Sequence, residues 1–192
     1  MSSPWQVIPW SSHTGRPWKN GGGATTELAA WPDGAGLDDF EWRVSVADVA
    51  SDGPFSHFPG RDRTLFLIDG AGLELSIGGA VLTLDLSQRR AAFPGDAPTH
   101  GRLLAGPIRD LNVMTRRDGW RHDATLLGSG AWKTKAPVWL LVCLAADGGV
   151  ASLEGQAVAL ARLDVILGHG GLEDASADHQ CCLIQLWPHP RP

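Results

Sequence analysis

Hydrophobic and polar positions alternate with a period of two along much of the chain, and that is the spacing of a half-buried strand. Over residues 40–47, Phe40, Trp42, Val44 and Val46 fall on one side, and Glu41, Arg43, Ser45 and Ala47 on the other. In a small barrel either face can line the interior, so the polar face is the one to watch. Further strands are predicted at 5–8, 25–30, 63–69, 73–77, 81–84, 99–104 and 108–115. A second group follows at 138–144, 150–153, 157–160, 165–167 and 182–187. Turn residues bound these runs. Gly78-Gly79 between two strands predicts a hairpin, because primed turns need positive φ at both central positions. Residues 116–137 are polar and less periodic and read as a junction, and only 160–167 leaves helix and strand ambiguous. About a dozen short strands in two groups are too many for one flat sheet and predict an all-β protein of barrels or sandwiches.

Composition sharpens this reading. The 192 residues include 24 Gly and 13 Pro, a content of helix breakers that excludes a helical bundle or coiled coil. Hydrophobic residues at 43% supply a real core. A net charge of −5 argues against a nucleic-acid partner, which calls for a basic stripe. The 16 basic residues are mostly Arg, whose planar fork suits carboxylates and phosphates, although a GC-rich genome would produce the same bias. Three Cys, two of them adjacent at 181 and 182, make no disulfide framework and read as buried thiols in a reducing cytoplasm. The N-terminal residues lack a signal-peptide pattern, and the most apolar run, 138–146, is too short to span a bilayer. The expectation is a cytoplasmic protein with no membrane partner.

Candidate chemistry is sparse. The seven His include no His-x-His pair, the spacing that would put two ligands into one lumen, so no metal or other cofactor is expected. Neither a nucleophile elbow nor a phosphate loop is present. The informative segment is Trp18-Lys19-Asn20-Gly21-Gly22-Gly23-Ala24-Thr25-Thr26-Glu27. Three consecutive Gly fit either a sharp turn or a place where backbone meets a ligand closely. Polar groups also interrupt apolar strands: Arg43 with Ser45, Arg63, Asn112 and Arg116. A buried polar group costs about 1–3 kcal/mol unless hydrogen-bonded, so their convergence implies an internal network or a ligand.

At these residues the chain resembles the HutD/Ves family of the cupin superfamily. The likeness covers Trp18 to Gly23 with Thr25 and Glu27, then Trp42-Arg43-x-Ser45 and Gly53-Pro54-Phe55-Ser56-x-Phe58-Pro59-Gly60-x-Asp62-Arg63. It continues through Phe93-Pro94-Gly95-Asp96 and Asp110-x-Asn112-x-Met114-x-Arg116. The resemblance implies a double-stranded β-helix (the cupin or jelly-roll fold) duplicated as a bicupin. A barrel over 1–117 would carry the motifs, with a second, smaller half over 118–192 and strands free to exchange between them. It also implies absent metal-ligand motifs, genes neighbouring histidine utilisation, and a sensing or regulatory role with an intermediate such as formylglutamate.

The leading expectation is therefore a metal-independent bicupin that binds a small anionic metabolite. Arg43, Arg63, Arg116 and Lys19 would hold charge, while Asn20, Ser45 and Asn112 fix orientation. Trp18, Trp42, Phe55 and Phe58 would form walls, with Gly21, Gly22, Thr25 and Glu27 completing the site. Two alternatives stand beside it. One is a metal-free isomerase or hydrolase using Glu27 with His100 or Lys19 as acid and base. The other is a protein-interaction module, with a homodimer as one assembly. The sequence favours a binding protein over an enzyme.

Overall fold

The structure is a computed structural model that describes residues 4–189. Contacts divide the chain into two compact units, one of residues 14–120 and one joining residues 4–13 to residues 121–189. In the first unit a six-stranded sheet runs in the order Arg16–Pro17, Gly23–Trp31, Trp42–Val49, Ile108–Arg116, Arg61–Asp69, Arg90–Pro94. A four-stranded sheet has the order Gly53–Pro54, Thr99–Leu103, Leu73–Ile77, Ala80–Leu84. Leu65, Leu67 and Ala47 from the first sheet and Leu73, Leu75 and Leu84 from the second share one core.

The second unit repeats this plan. Its five-stranded sheet runs Trp5–Ile8, Val165–His169, Val138–Cys143, Cys181–Pro188, Trp120–Leu127. Its four-stranded sheet runs Gly130–Thr134, Leu172–Ala177, Gly149–Leu153, Gln156–Leu160. Starting at Trp42, eight consecutive strands pair as 1-8-3-6 and 2-7-4-5, and the eight strands starting at Trp120 pair in the same two orders. This is the jelly-roll order, so the chain is a duplicated cupin barrel with a few added edge strands.

Several expectations change here. The strand at Trp5–Ile8, expected with the first barrel, pairs with Val165–His169 in the second unit. Residues 116–137 are not a junction but hold two strands, Trp120–Leu127 and Gly130–Thr134. Leu172–Ala177 and Arg90–Pro94 were also illegible, because their sequences offer few large apolar residues. The ambiguous 160–167 stretch is two strand ends joined by a turn, with Leu163 at φ 66°. Among the described residues there is no α-helix, and no helix is long and apolar enough to cross a membrane. Cys143, Cys181 and Cys182 are buried free thiols.

Candidate functional site

Strand pairing sorts the polar residues of the first barrel into rows. Arg43 lies across from Met114, and Met114 across from Arg63. The next row is Ser45, Asn112 and Leu65, and the next Ala47, Asp110 and Leu67. Because side chains alternate between faces, all of these share the face that carries the barrel core. That interior is therefore divided. One end carries the two guanidiniums, and the amide and carboxyl run inward from them, Asp110 sharing its row with the core residues Ala47 and Leu67.

Arg63 is the centre of the polar end. Its Nε donates to Asn112 Oδ1 at 2.9 Å, and its Nη2 donates to the same oxygen. Its guanidinium lies 4.8 Å from the Phe55 ring centroid and 5.5 Å from that of Phe93. Among the described residues no carboxylate comes within ion-pair distance of it, although it is only 7% exposed. Burial pulls its pKa down to about 10, with Asp110 opposing that shift and Arg43 adding to it. Asn112 passes the contact on, its Nδ2 donating to Asp110 Oδ1. Asp110 is fully buried, and its other oxygen, Oδ2, has no partner. Burial pushes the Asp110 carboxyl up to about 6, against the pull of Arg63 and Asn112.

Arg43, also buried, donates from Nε to Glu27 Oε2 at 2.7 Å and from Nη1 to Ser45 Oγ at 3.3 Å. A β-bulge between Glu27 and Ala29 leaves Glu27 across from Ser45, on the row beside Arg43. Its side chain is 42% exposed, so the ion pair is open to solvent on the Glu27 side and is weakly held by charge alone.

The structure separates the other expected residues from this cluster. Trp18, Lys19, Asn20, Gly21 and Gly22 belong to the far end, where Gly23 lies across from Val49. There Gly22 and Gly23 approach the chain itself, at Ser51 and Asp48. Gly21 has φ 72°, and a Cβ on Gly23 would stand 2.2 Å from the Asp48 carbonyl and 3.0 Å from the Trp18 ring. Asn20 Oδ1 accepts from the Gly22 N–H at 3.1 Å, and Trp18 Nε1 donates to Thr25 Oγ1 at 2.8 Å. The motif's first block is thus a structural hairpin. Trp42 alternates away from Arg43 onto the opposite face, where its ring meets Trp120 edge-on at 6.5 Å. Phe58 packs on Phe40 at 5.8 Å. Arg116 is spent on Glu41 and Asp118, both at 2.6 Å. His100 is exposed and faces away from the interior, since Gly101 beside it turns inward onto Phe55.

Arg117 explains another block. It donates from Nε to Asp62 Oδ1 at 2.8 Å and reaches Asp96 at 3.3 Å, and its own N–H donates to the Gly60 carbonyl at 2.9 Å. Gly60, Asp62 and Asp96 therefore fix a loop. Asp110 and Phe93 are the site residues that the sequence reading passed over. Both carried a signal: Asp110 shares the strand face of Asn112, and Phe93 is across from Arg63.

The second barrel shows what the fold itself requires. There Trp139, Leu141 and Cys143 face its core from the third strand of the repeat, across from Gln185, Leu183 and Cys181. By strand rank and register, Trp139, Leu183 and Cys181 stand where Arg63, Asn112 and Asp110 stand in the first barrel. The same barrel closes with apolar residues at these three positions. Among the described residues no group of three His, Cys, Asp or Glu could hold a metal ion.

A family model described as HutD matches residues 11–183. The chain is 30% identical over 184 residues to the uncharacterized 21.2 kDa protein in the hutC 3′ region of Pseudomonas putida, covering 94% of this chain and 96% of that protein. The solved structure of HutD from Pseudomonas fluorescens SBW25, in a formate condition, superposes with a TM-score of 0.83 at 33% identity. That match covers 97% of this chain and all of that one (100%). A cupin 2 conserved barrel domain protein from Leptotrichia buccalis shares the fold at a TM-score of 0.58 and 9% identity, covering 96% of each chain.

Proposed function

The chain belongs to the HutD family, and from that premise we propose that its first barrel is a receptor for a small carboxylate, serving to sense or regulate rather than to catalyse. The single observation behind this reading is Arg63: a buried guanidinium against two aromatic rings, with no carboxylate at ion-pair distance among the described residues and only Asp110, through Asn112, to offset its charge. Removing a guanidinium from water is costly, and a bidentate anion is the group best matched to its fork. Arg43 adds a second cation two strands away, and its exposed Glu27 partner is one that an incoming carboxylate can displace. Phe55 and Phe93 supply apolar walls.

The hutC neighbourhood of the P. putida relative supports a ligand from histidine or amino-acid catabolism, an acid of the formylglutamate kind. The catalytic alternative gains no support from the geometry. Glu27 lies with Arg43, His100 faces outward, and Lys19 is at the other end of the barrel, so none can pass a proton to another. Isothermal titration with N-formylglutamate tests the reading. Saturable binding that weakens at least about tenfold in Arg63→Lys is expected, because Lys keeps the charge but loses the fork. No binding, or equal binding by the variant, overturns it.

A further inference from the structure

Asp110 is expensive for the fold, and only one of its two oxygens is bonded. It is fully buried, it stands one row below Asn112, and the equivalent position of the second barrel is a cysteine. The Arg63–Asn112–Asp110 chain fixes the orientation of every member. Arg63 claims Asn112 Oδ1, so the Asn112 amide must turn Nδ2 toward Asp110, and that bond claims Asp110 Oδ1. Oδ2 is then held in one direction with its acceptor capacity unmet, on a carboxyl whose charge acts on the guanidinium that would anchor a carboxylate. A buried carboxylate oxygen left without a donor costs free energy until something donates to it.

We propose that Asp110 is a specificity residue of the first barrel, and that its free oxygen selects carboxylates whose skeleton also carries an N–H or O–H donor. This rests on the carboxylate-receptor reading above and narrows it. Arg63 and Arg43 recognise the acid group, which every carboxylate has. Asp110 recognises the second group, which only amides, amines and hydroxy acids have. A site with a committed buried acceptor rejects the analogue that lacks the donor much more strongly than an apolar pocket rejects a lost methylene. Glu27 contributes little to this choice, since its carboxylate is solvated whether or not it keeps Arg43, and an acceptor that water can satisfy discriminates weakly.

The matched pair N-acetylglycine and N-acetylsarcosine isolates the effect, because they differ only by replacement of the amide hydrogen with methyl. Titration of the full chain, followed by amide NMR shifts, is expected to show N-acetylglycine binding at least about tenfold more tightly. In Asp110→Asn, the Asn112 contact keeps the new side-chain oxygen in place and puts an NH2 where Oδ2 was. The preference should then vanish while Arg63→Lys weakens both ligands alike. Equal binding of the two ligands by the unmodified protein, which needs no variant to fold, overturns the role of Asp110 and leaves the receptor standing. Binding of neither ligand overturns both.

Discussion

Two kinds of residue do opposite work in the first barrel. Gly23 and Trp18 lower the energy of the fold through close contact, whereas Asp110 raises it. A Cβ at Gly23 would collide with the backbone carbonyl of Asp48, which has no flexible end to move aside. Gly23→Ala is therefore expected to destabilise the protein by roughly 1–3 kcal/mol in urea denaturation. Asp110 predicts a pH dependence. Burial raises its pKa from 3.8 to about 6, so the folded state binds that proton more tightly than the unfolded state does. Its contribution is most favourable below the unfolded value and is lost as pH rises through the folded one. Between about pH 5 and 7.5 the unfolding free energy should fall by on the order of 1 kcal/mol from this group. Urea titrations at the two pH values check it, and the loss should be missing from Asp110→Asn. The sequence showed Asp110 only as one letter of the family likeness at residues 110–116, without a role. Its cost and its direction come from Asn112 and Arg63, which long-range pairing brings to it.

Among elements, the internal repeat gives the clearest account of what was legible. Alternation over 40–47 placed Arg43 and Ser45 on one face, and the pairing of Ile108–Arg116 with both neighbours puts Asn112 and Arg63 on that same face. The same alternation placed Trp42 on the other face, so its expected role as a pocket wall conflicted with the period of two. The strand Leu172–Ala177 was hidden because its outward residues are polar and, after Leu172, its inward ones are alanines. The repeat also yields a prediction. The second barrel tolerates Trp139, Cys181 and Leu183 at the positions of Arg63, Asp110 and Asn112. Replacing a buried polar set with well-packed apolar residues is often neutral or stabilising. The triple variant Arg63→Met, Asp110→Val, Asn112→Leu is expected to unfold at the same or higher urea concentration than the parent, while binding no carboxylate. A loss of several kcal/mol would show instead that the polar chain serves the fold.

At the scale of the whole molecule, the two barrels share one topology and differ in what fills them. The net charge of −5 conceals a first barrel with two buried cations, Arg43 and Arg63. Net charge therefore spoke only against nucleic acid, and strand pairing was needed to bring the buried guanidiniums together. The glycine-rich block carries the family likeness for structural reasons: Gly21 adopts a positive φ, and Gly22 and Gly23 pack closely on their own chain. The duplicate barrel, with its apolar interior, acts as an internal control for any ligand. The most direct test is therefore an amide NMR titration of the full chain with N-formylglutamate. The predicted result is saturable shifts at residues 43, 63, 110 and 112, none at 139, 181 and 183, and a saturation point displaced at least about tenfold in Arg63→Lys. Shifts in the second barrel alone, or a titration that Arg63→Lys leaves unchanged, would contradict the assignment of a carboxylate receptor to the first barrel.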